Sequence, residues 1–578
     1  MPQDTHFDAV VVGTGFGGSV MAYRLAEAGL RVCVLERGRA YPPGSFARTP
    51  TDLARNFWDP SEGLYGMFDV WSFDGVESLV SSGLGGGSLI YANVLLRKDE
   101  KWFVNDDLPS GANRKWPVDY RTLEPHYEAV ERMMQATPYP FDHEPYRSTT
   151  KTQAMVDAAR RLPGVGQLQF PPLAVTFGNP GVPPVPGEPI VGGERNLHHR
   201  ARLTCQLCGE CDIGCNSGSK NTLDYNYLSR AAEHGADIRT LCEVRGFEPL
   251  SGGGYVVRYV EHDLQRAGTR FDTRALMPVE LTCDYLVLSA GTYGSTYLLL
   301  KNRPRLPGLS DALGTRFSGN GDLLTFAVEC TDAERACARA MNPSVGPVIT
   351  TAFRVPDALD ETGANGRGFY VEDAGIPLFM VWLLESTDTV GAFKRGFRFG
   401  WRRLMRALHL SRGSNLSGEV SAMLGAGARS EAMLPLLGMG RDIPNGRMSL
   451  DADGDLANDW STKTSWAYFT RVRSVMKQMA DAWGAERFAD DPLWYLRRVI
   501  TVHPLGGCPM GFSAEQGVVD PFGEVFGHDG LFVADGSVLP GPVGANPSLT
   551  IAACADRFAD RLIERAHAAR PRPAAAAR

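Results

Sequence analysis

The chain has 578 residues, 43% of them hydrophobic and 22% charged, with a formal net charge of −7. That length exceeds what one hydrophobic core serves and predicts two or more structural units, while the near-balanced charge excludes a polyanion-binding protein, so no nucleic-acid partner is expected. Eleven cysteines are too few for a disulfide framework in a chain this long, and no uninterrupted apolar run reaches the roughly 20 residues of a membrane-spanning helix.

The first residues, MPQDTHFDAVVVG, pass from a short polar lead straight into an apolar run, with no basic region and no small-residue cleavage site. A cytoplasmic location with mostly free thiols is therefore expected. Residues 7–12 read as a buried strand, 19–28 as a helix and 31–35 as a second buried strand, a βαβ unit. The turn between the first strand and the helix is Gly13-Thr14-Gly15-Phe16-Gly17-Gly18. Gly13 permits the tight turn, Gly15 lets the backbone approach a pyrophosphate, and Gly18 lets helix and strand pack closely, with unpaired helix N–H groups facing the phosphates. Glu36 follows the second strand and is placed to accept ribose hydroxyls. Its charge would repel a 2′-phosphate, so FAD or NAD is favoured over NADP.

A second glycine-rich loop, SSGLGGGSLIYAN at 81–93, carries Gly83, Gly85, Gly86, Gly87, Ser88, Tyr91 and Asn93, and a helical run, LEPHY, follows at 123–127. Two such loops far apart in sequence let backbone approach two parts of an extended cofactor, which suits a flavin better than nicotinamide alone. Next comes TCQLCGECDIGCN at 204–216, which spaces Cys205, Cys208, Cys211 and Cys215 as C-x2-C-x2-C-x3-C. Bacterial ferredoxins wrap an iron–sulfur cluster with this run, although Asn216 stands where Pro usually follows. Two readings are open for it: a bound cluster or other metal, or a structural turn with free or reversibly paired thiols. Further on, an apolar strand at 285–289 ends in Ala290 and Gly291 before a helix, and another at 531–534 ends in Asp535 and Gly536. Ligands gather at such carboxyl edges of sheets.

With CDYLVLSAGTYGSTYLLL (283–300), TVHPLGGCPMG (501–511) and GLFVADGSVLPGPVGANPSLTIAACA (530–555), these motifs together resemble the glucose-methanol-choline family of FAD-dependent oxidoreductases, the last two most closely its cholesterol oxidase branch. The resemblance implies an α/β fold in which a Rossmann-like FAD-binding domain accompanies an α+β substrate domain built on an antiparallel sheet. The FAD-binding domain is expected to be discontinuous (1–100, 200–325 and 500–566), with connecting and cap segments at 101–199 and the substrate domain at 326–499. By the same resemblance the loop at 83–88 faces the flavin, Val244 meets the adenine, Asp535 and Gly536 lie along the ribityl and pyrophosphate portion, and Asn546 and Pro547 complete the cofactor site.

Catalysis by such an enzyme needs a group that accepts the alcohol proton while hydride leaves the carbinol carbon. His503, in VHPLGGCPMG, matches the family's catalytic histidine, and Asn546, in GANPSLTIAA, matches its second active-site position, where an amide can orient the substrate oxygen. Glu372, in GFYVEDAGIP, is a candidate for the carboxylate that moves a steroid proton during double-bond isomerisation, with a solvated loop carboxylate as the alternative. Residues 393–412 hold seven Lys and Arg and no acid, interleaved with aromatics. As a helix this face can lie peripherally on the inner face of a membrane or simply cover a core. The tail 567–578 is expected to be disordered. Two functions follow from these readings: an FAD enzyme that oxidises a lipophilic alcohol, with O2 or another electron acceptor, or an electron-transfer flavo-iron-sulfur subunit built on the four cysteines.

Overall fold

The computed structural model describes residues 5–108, 114–332, 337–377 and 431–569. The apolar run at the N-terminus forms the strand His6–Val12, and the glycine turn opens directly into the helix Phe16–Glu27, three residues earlier than the pattern predicts, because Phe16, Gly17 and Gly18 already face inward. The strand Val32–Leu35 then returns parallel to the first.

These elements sit in a seven-stranded sheet gathered from distant parts of the chain. Asp237–Arg239, Val32–Leu35, His6–Val12, the upper half of Pro278–Leu288 and Leu531–Val533 run parallel. The lower half of Pro278–Leu288 instead pairs antiparallel with Tyr255–Glu261, which pairs with Cys242–Pro249. The long helix Ser548–Ala569 packs against Phe16–Glu27 and Tyr120–Met134. It runs through 567–569, which the composition assigns to a disordered tail. The burial of Ala566 and a contact of 3.2 Å between His567 Nε2 and the Ala28 carbonyl hold this last turn.

A second sheet is antiparallel throughout, in the order Arg487–Asp490, Leu323–Val328, Leu434–Gly440, Phe369–Asp373, Ala352–Val355 and Gln167–Gln169. The amphipathic helix Trp466–Ala482 covers it with Phe469, Val472, Met476 and Met479. Gln167–Gln169 lies within the stretch read as a connecting segment, yet it forms the edge strand of this sheet. Between the two sheets, Val499–Thr501 pairs with Val76–Ser81, and the chain leaving this strand reaches His503. Among the described residues no helix is long and apolar enough to cross a membrane. The basic face at 393–412 lies outside the described residues.

Candidate active site and dinucleotide cradle

The glycines of the first loop divide into two kinds. A side chain at Gly13, Gly17 or Gly18 would collide with backbone at Ser289, Ala534 or Gly13 respectively, so these three let the helix N-terminus press onto the sheet. A Cβ at Gly15 would meet nothing within 4 Å, and the same holds at Gly87 and Gly291. Gly15 and Gly291 follow the carboxyl ends of the parallel strands His6–Val12 and Pro278–Leu288, and Gly87 lies in the loop whose Gly86 approaches Gly15. Their backbone can be approached closely there, as a dinucleotide requires.

Thr14 laces the two glycine loops together. Its hydroxyl donates to Glu36 Oε2 (2.5 Å) and accepts from Gly85 N (3.0 Å). Glu36 also accepts from Thr14 N (3.1 Å) and Gly38 N (2.8 Å), and its burial raises its proton affinity above the ordinary carboxylate range against the pull of these donors. In the second loop Gly86 adopts φ 51° and lies so close to Gly15 that a Cβ would come within 2.6 Å of the Gly15 Cα. Ser88 Oγ donates to the Gly85 carbonyl (2.7 Å) and accepts from Leu223 N (3.1 Å), which fixes the turn Gly86–Leu89. Tyr91 packs its ring edge-on to Phe16, with centroids 5.3 Å apart, and donates its hydroxyl to the Asn221 carbonyl. Asn93, at φ 72°, is buried beside the Cys211 thiol, and among the described residues neither amide atom has a nitrogen or oxygen partner. An unpartnered buried amide costs free energy unless a ligand meets it.

Across the sheet edge Ala290 caps the helix Gly291–Asn302, and Asp535 accepts from Gly291 N (2.9 Å), Ser537 N (2.9 Å), Ser537 Oγ and Ser295 Oγ. These four donors saturate the Asp535 carboxylate, so its side chain locks the Gly291 turn while the backbone of Asp535 and Gly536 follows the parallel strand Leu531–Val533. Val244 lies at a bulge in Cys242–Pro249, a strand joined to Glu36 by the bond from Cys242 N to the Glu36 carbonyl (2.8 Å).

The catalytic candidates assemble beyond the second glycine loop. His503 is half-buried, and its Nδ1 stands 2.9 and 3.0 Å from the two carboxylate oxygens of the buried Asp322. The turn 318–322 carrying Asp322 also reaches the segment that presents Asn546. Asn320 donates to the Ala545 carbonyl (2.9 Å) and accepts from Gly544 N (2.9 Å), while the buried Lys98 ammonium donates to the carbonyls of Pro542 (2.7 Å) and Val543 (3.1 Å). Asn546, held by this clamp, donates Nδ2 to Glu372 Oε2 at 3.3 Å. Pro547 then leads into the helix Ser548–Ala569.

Glu372 is not a loop carboxylate. It lies in the interior strand Phe369–Asp373, 0% exposed, between Ala352 and Leu437. Alternation along the strand sends Asp373 to the other face, where it pairs with the buried Lys151 and accepts from Thr350 and Thr351. Among the described residues Glu372 has no such counter-charge. Burial pushes its carboxyl up to about 8, with Asp373 and Asp322 adding to the effect and the Asn546 amide opposing it. Among the described residues Glu372 Oε1 and Asn546 Oδ1 are both buried without a partner, so each can meet a polar ligand atom. Nearby, burial raises Asp442 to about 7 against the donors Ser318 and Gly319.

Burial raises the proton affinity of Cys205 and Cys208, and the neighbouring cysteines of the run add to it. Cys205 and Cys215 are buried, Cys211 is partly buried and Cys208 is exposed, and among the described residues no three His, Cys, Asp or Glu side chains stand where they could hold a metal ion. Long-range bonds shape the loop. Gly209 N donates to the Gly346 carbonyl (2.8 Å), Gly346 N donates to the Leu207 carbonyl (3.0 Å), and the buried Lys220 ties the Cys211 carbonyl (2.8 Å) to that of Leu89 (3.0 Å). The run thereby props the glycine turn Gly86–Leu89.

Thr14, Asn320 and Asp322 are the residues that motif reading passes over. Thr14 stood in plain view between two glycines, and the signal for the others is the run SGNGD at 318–322, a polar turn placed immediately before an apolar strand.

The family described as GMC oxidoreductase matches residues 446–555, and the NAD(P)-binding Rossmann-like domain matches 11–52. The chain is 32% identical to a cholesterol oxidase of Mycobacterium tuberculosis, over 96% of this chain and 90% of that one. It is 42% identical to an uncharacterised GMC-type oxidoreductase of Sinorhizobium fredii, over 99% and 97% of the two chains. The crystal structure of pyridoxine 4-oxidase from Mesorbium loti superimposes with a TM-score of 0.55 at 15% identity, covering 96% of this chain and 98% of that one, a likeness of fold.

Proposed function

The chain belongs to the GMC family of FAD-dependent oxidoreductases, enzymes acting on CH–OH donors, and we propose that it oxidises a lipophilic alcohol, sterol-like or long-chain, to the ketone or aldehyde. The observation that carries this reading is that one turn, 318–322, holds His503 through Asp322 and the segment of the Asn546–Glu372 pair through Asn320. The cholesterol oxidase relative supports a lipophilic substrate and O2 as the electron acceptor.

The residues open at Gly15, Gly87 and Gly291, the buried Asn93 amide and the buried Glu36 fit FAD. When bound, FAD supplies a hydride acceptor at its N5 and passes the electrons on to O2. His503 takes the hydroxyl proton at Nε2, the nitrogen turned away from Asp322, as the carbinol C–H bond breaks. Asn546 holds the substrate oxygen: an amide nitrogen carries two hydrogens, and only one is committed to Glu372. Glu372, whose buried carboxyl is raised to about 8, can in its ionised form take a proton from a carbon next to the new carbonyl and return it further along, which would shift a double bond into conjugation.

Stopped-flow reduction of the flavin under anaerobic conditions tests these roles. His503→Ala is expected to keep its flavin and slow reduction by roughly 10^2 to 10^4. Asn546→Ala is expected to slow it through loss of an oriented hydrogen bond. Reduction of His503→Ala at the parent rate would contradict the assignment.

A further inference from the structure

Asp322 meets His503 with an asymmetric carboxylate. Its Oδ2 accepts from Thr501 Oγ1 (2.9 Å) and Val502 N (3.0 Å) and lies 3.0 Å from His503 Nδ1, whereas among the described residues its Oδ1 faces His503 Nδ1 alone, at 2.9 Å. A second bond, from His503 N to Thr501 Oγ1 (3.0 Å), fixes the backbone beneath the ring, and the Gly319 carbonyl lies 3.0 Å from the same hydroxyl, whose single hydrogen is committed to Asp322. Asp322 is 1% exposed, so the carboxylate cannot turn to water.

We infer that Asp322 is the positioning residue that sets the tautomer of His503, keeping the proton on Nδ1 and the lone pair on Nε2. The inference rests on the alcohol-oxidation reading, in which His503 acts as base through Nε2. A carboxylate only accepts, so the nitrogen facing it must carry hydrogen, and the neutral ring then has a single basic site on the far side. The same turn holds the Asn546 segment through Asn320, two residues away, so the base and the amide that orients the substrate share one mount. No other carboxylate is bonded to His503 among the described residues.

The asymmetry supplies an unusually clean test. Asp322→Asn, with its carbonyl in place of Oδ2, keeps both structural acceptor bonds to Thr501 and Val502 and presents an N–H donor where Oδ1 stood. His503 Nδ1 accepts from that N–H, which avoids two opposed N–H groups at 2.9 Å although the carbonyl at the Oδ2 position stays 3.0 Å away, and the proton moves to Nε2. The variant is expected to bind FAD and unfold thermally as the parent does, yet to reduce its flavin about 10^2 to 10^4 times more slowly, the loss that follows when a base is held in the wrong tautomer.

A second readout does not depend on turnover. In holoenzyme labelled with 15N-histidine, at about pH 9 where imidazoles are neutral, the His503 signals, assigned by their loss in His503→Ala, are expected to show a protonated Nδ1 and a bare Nε2, reversed in Asp322→Asn. If Asp322→Asn reduces its flavin at the parent rate, or the parent shows an Nε2–H ring, the inference is overturned. Should Asp322→Asn lose its flavin, the spectrum of the unmodified protein alone decides. If His503→Ala is as fast as the parent, the assignment of the base fails instead, and the spectrum still reports what Asp322 does.

Discussion

Glu372→Gln tests the electrostatics of the site most sharply. The carboxyl is fully buried, without a counter-ion among the described residues, and is displaced from an ordinary 4.5 to about 8. A raised acid binds its proton more tightly folded than unfolded, so stability is fully present below pH 4.5, falls as pH rises towards 8 and then levels off. The slope in that window is about 1.4 kcal/mol per pH unit, and the whole displacement corresponds to roughly 5 kcal/mol. Gln has the same shape, can accept from Asn546 and never ionises. The variant should match the parent near pH 4.5 and exceed it in urea resistance progressively up to pH 8. Infrared difference spectra of parent minus variant should show the carbonyl band of a protonated carboxylic acid at pH 6 that disappears around pH 8. Parallel urea curves across this range, or a carboxylate band already present at pH 6, would refute the reasoning.

The other predictions concern the cradle and the buried ion pair. Gly15→Ala meets open space at a φ of −68° and should fold normally while losing FAD, whereas Gly17→Ala drives a methyl into the Ala534 carbonyl and should abolish folded protein; circular dichroism and flavin absorbance per chain distinguish them. Lys151→Met leaves Asp373 buried without its counter-charge and should destabilise the protein by about 3 to 5 kcal/mol in urea unfolding. The donors from Thr350 and Thr351 remain on the carboxylate, which favours the lower end of that range.

Local pattern made the βαβ unit legible, since strand, glycine turn, helix and second strand are contiguous and each has its own periodicity. The catalytic surroundings were less legible because their partners are remote. Asp322 looks like a solvated acid after a glycine until Thr501, Val502 and His503 arrive from about 180 residues later. Glu372 and Asp373 read as an exposed acidic pair because nothing nearby in sequence announces that Lys151, 222 residues from Asp373, neutralises one of them while the other is buried on the opposite face of the strand. For the cysteine run, local spacing alone does not describe the loop. Its spacing is complete, but bonds to Gly346 and Lys220 set the shape of the loop. The helix end at 567–569 follows the same rule, held by Ala28 from the far end of the chain.

The central claim is that this protein oxidises a lipophilic alcohol through bound FAD. Anaerobic titration of the yellow holoenzyme with 3-hydroxysterols and long-chain primary alcohols measures it directly. The account predicts that at least one of them bleaches the flavin completely, with one carbonyl product formed per FAD and the colour restored by O2. A flavin that stays oxidised with every such alcohol, or bleaches without an equivalent of ketone or aldehyde, would contradict it.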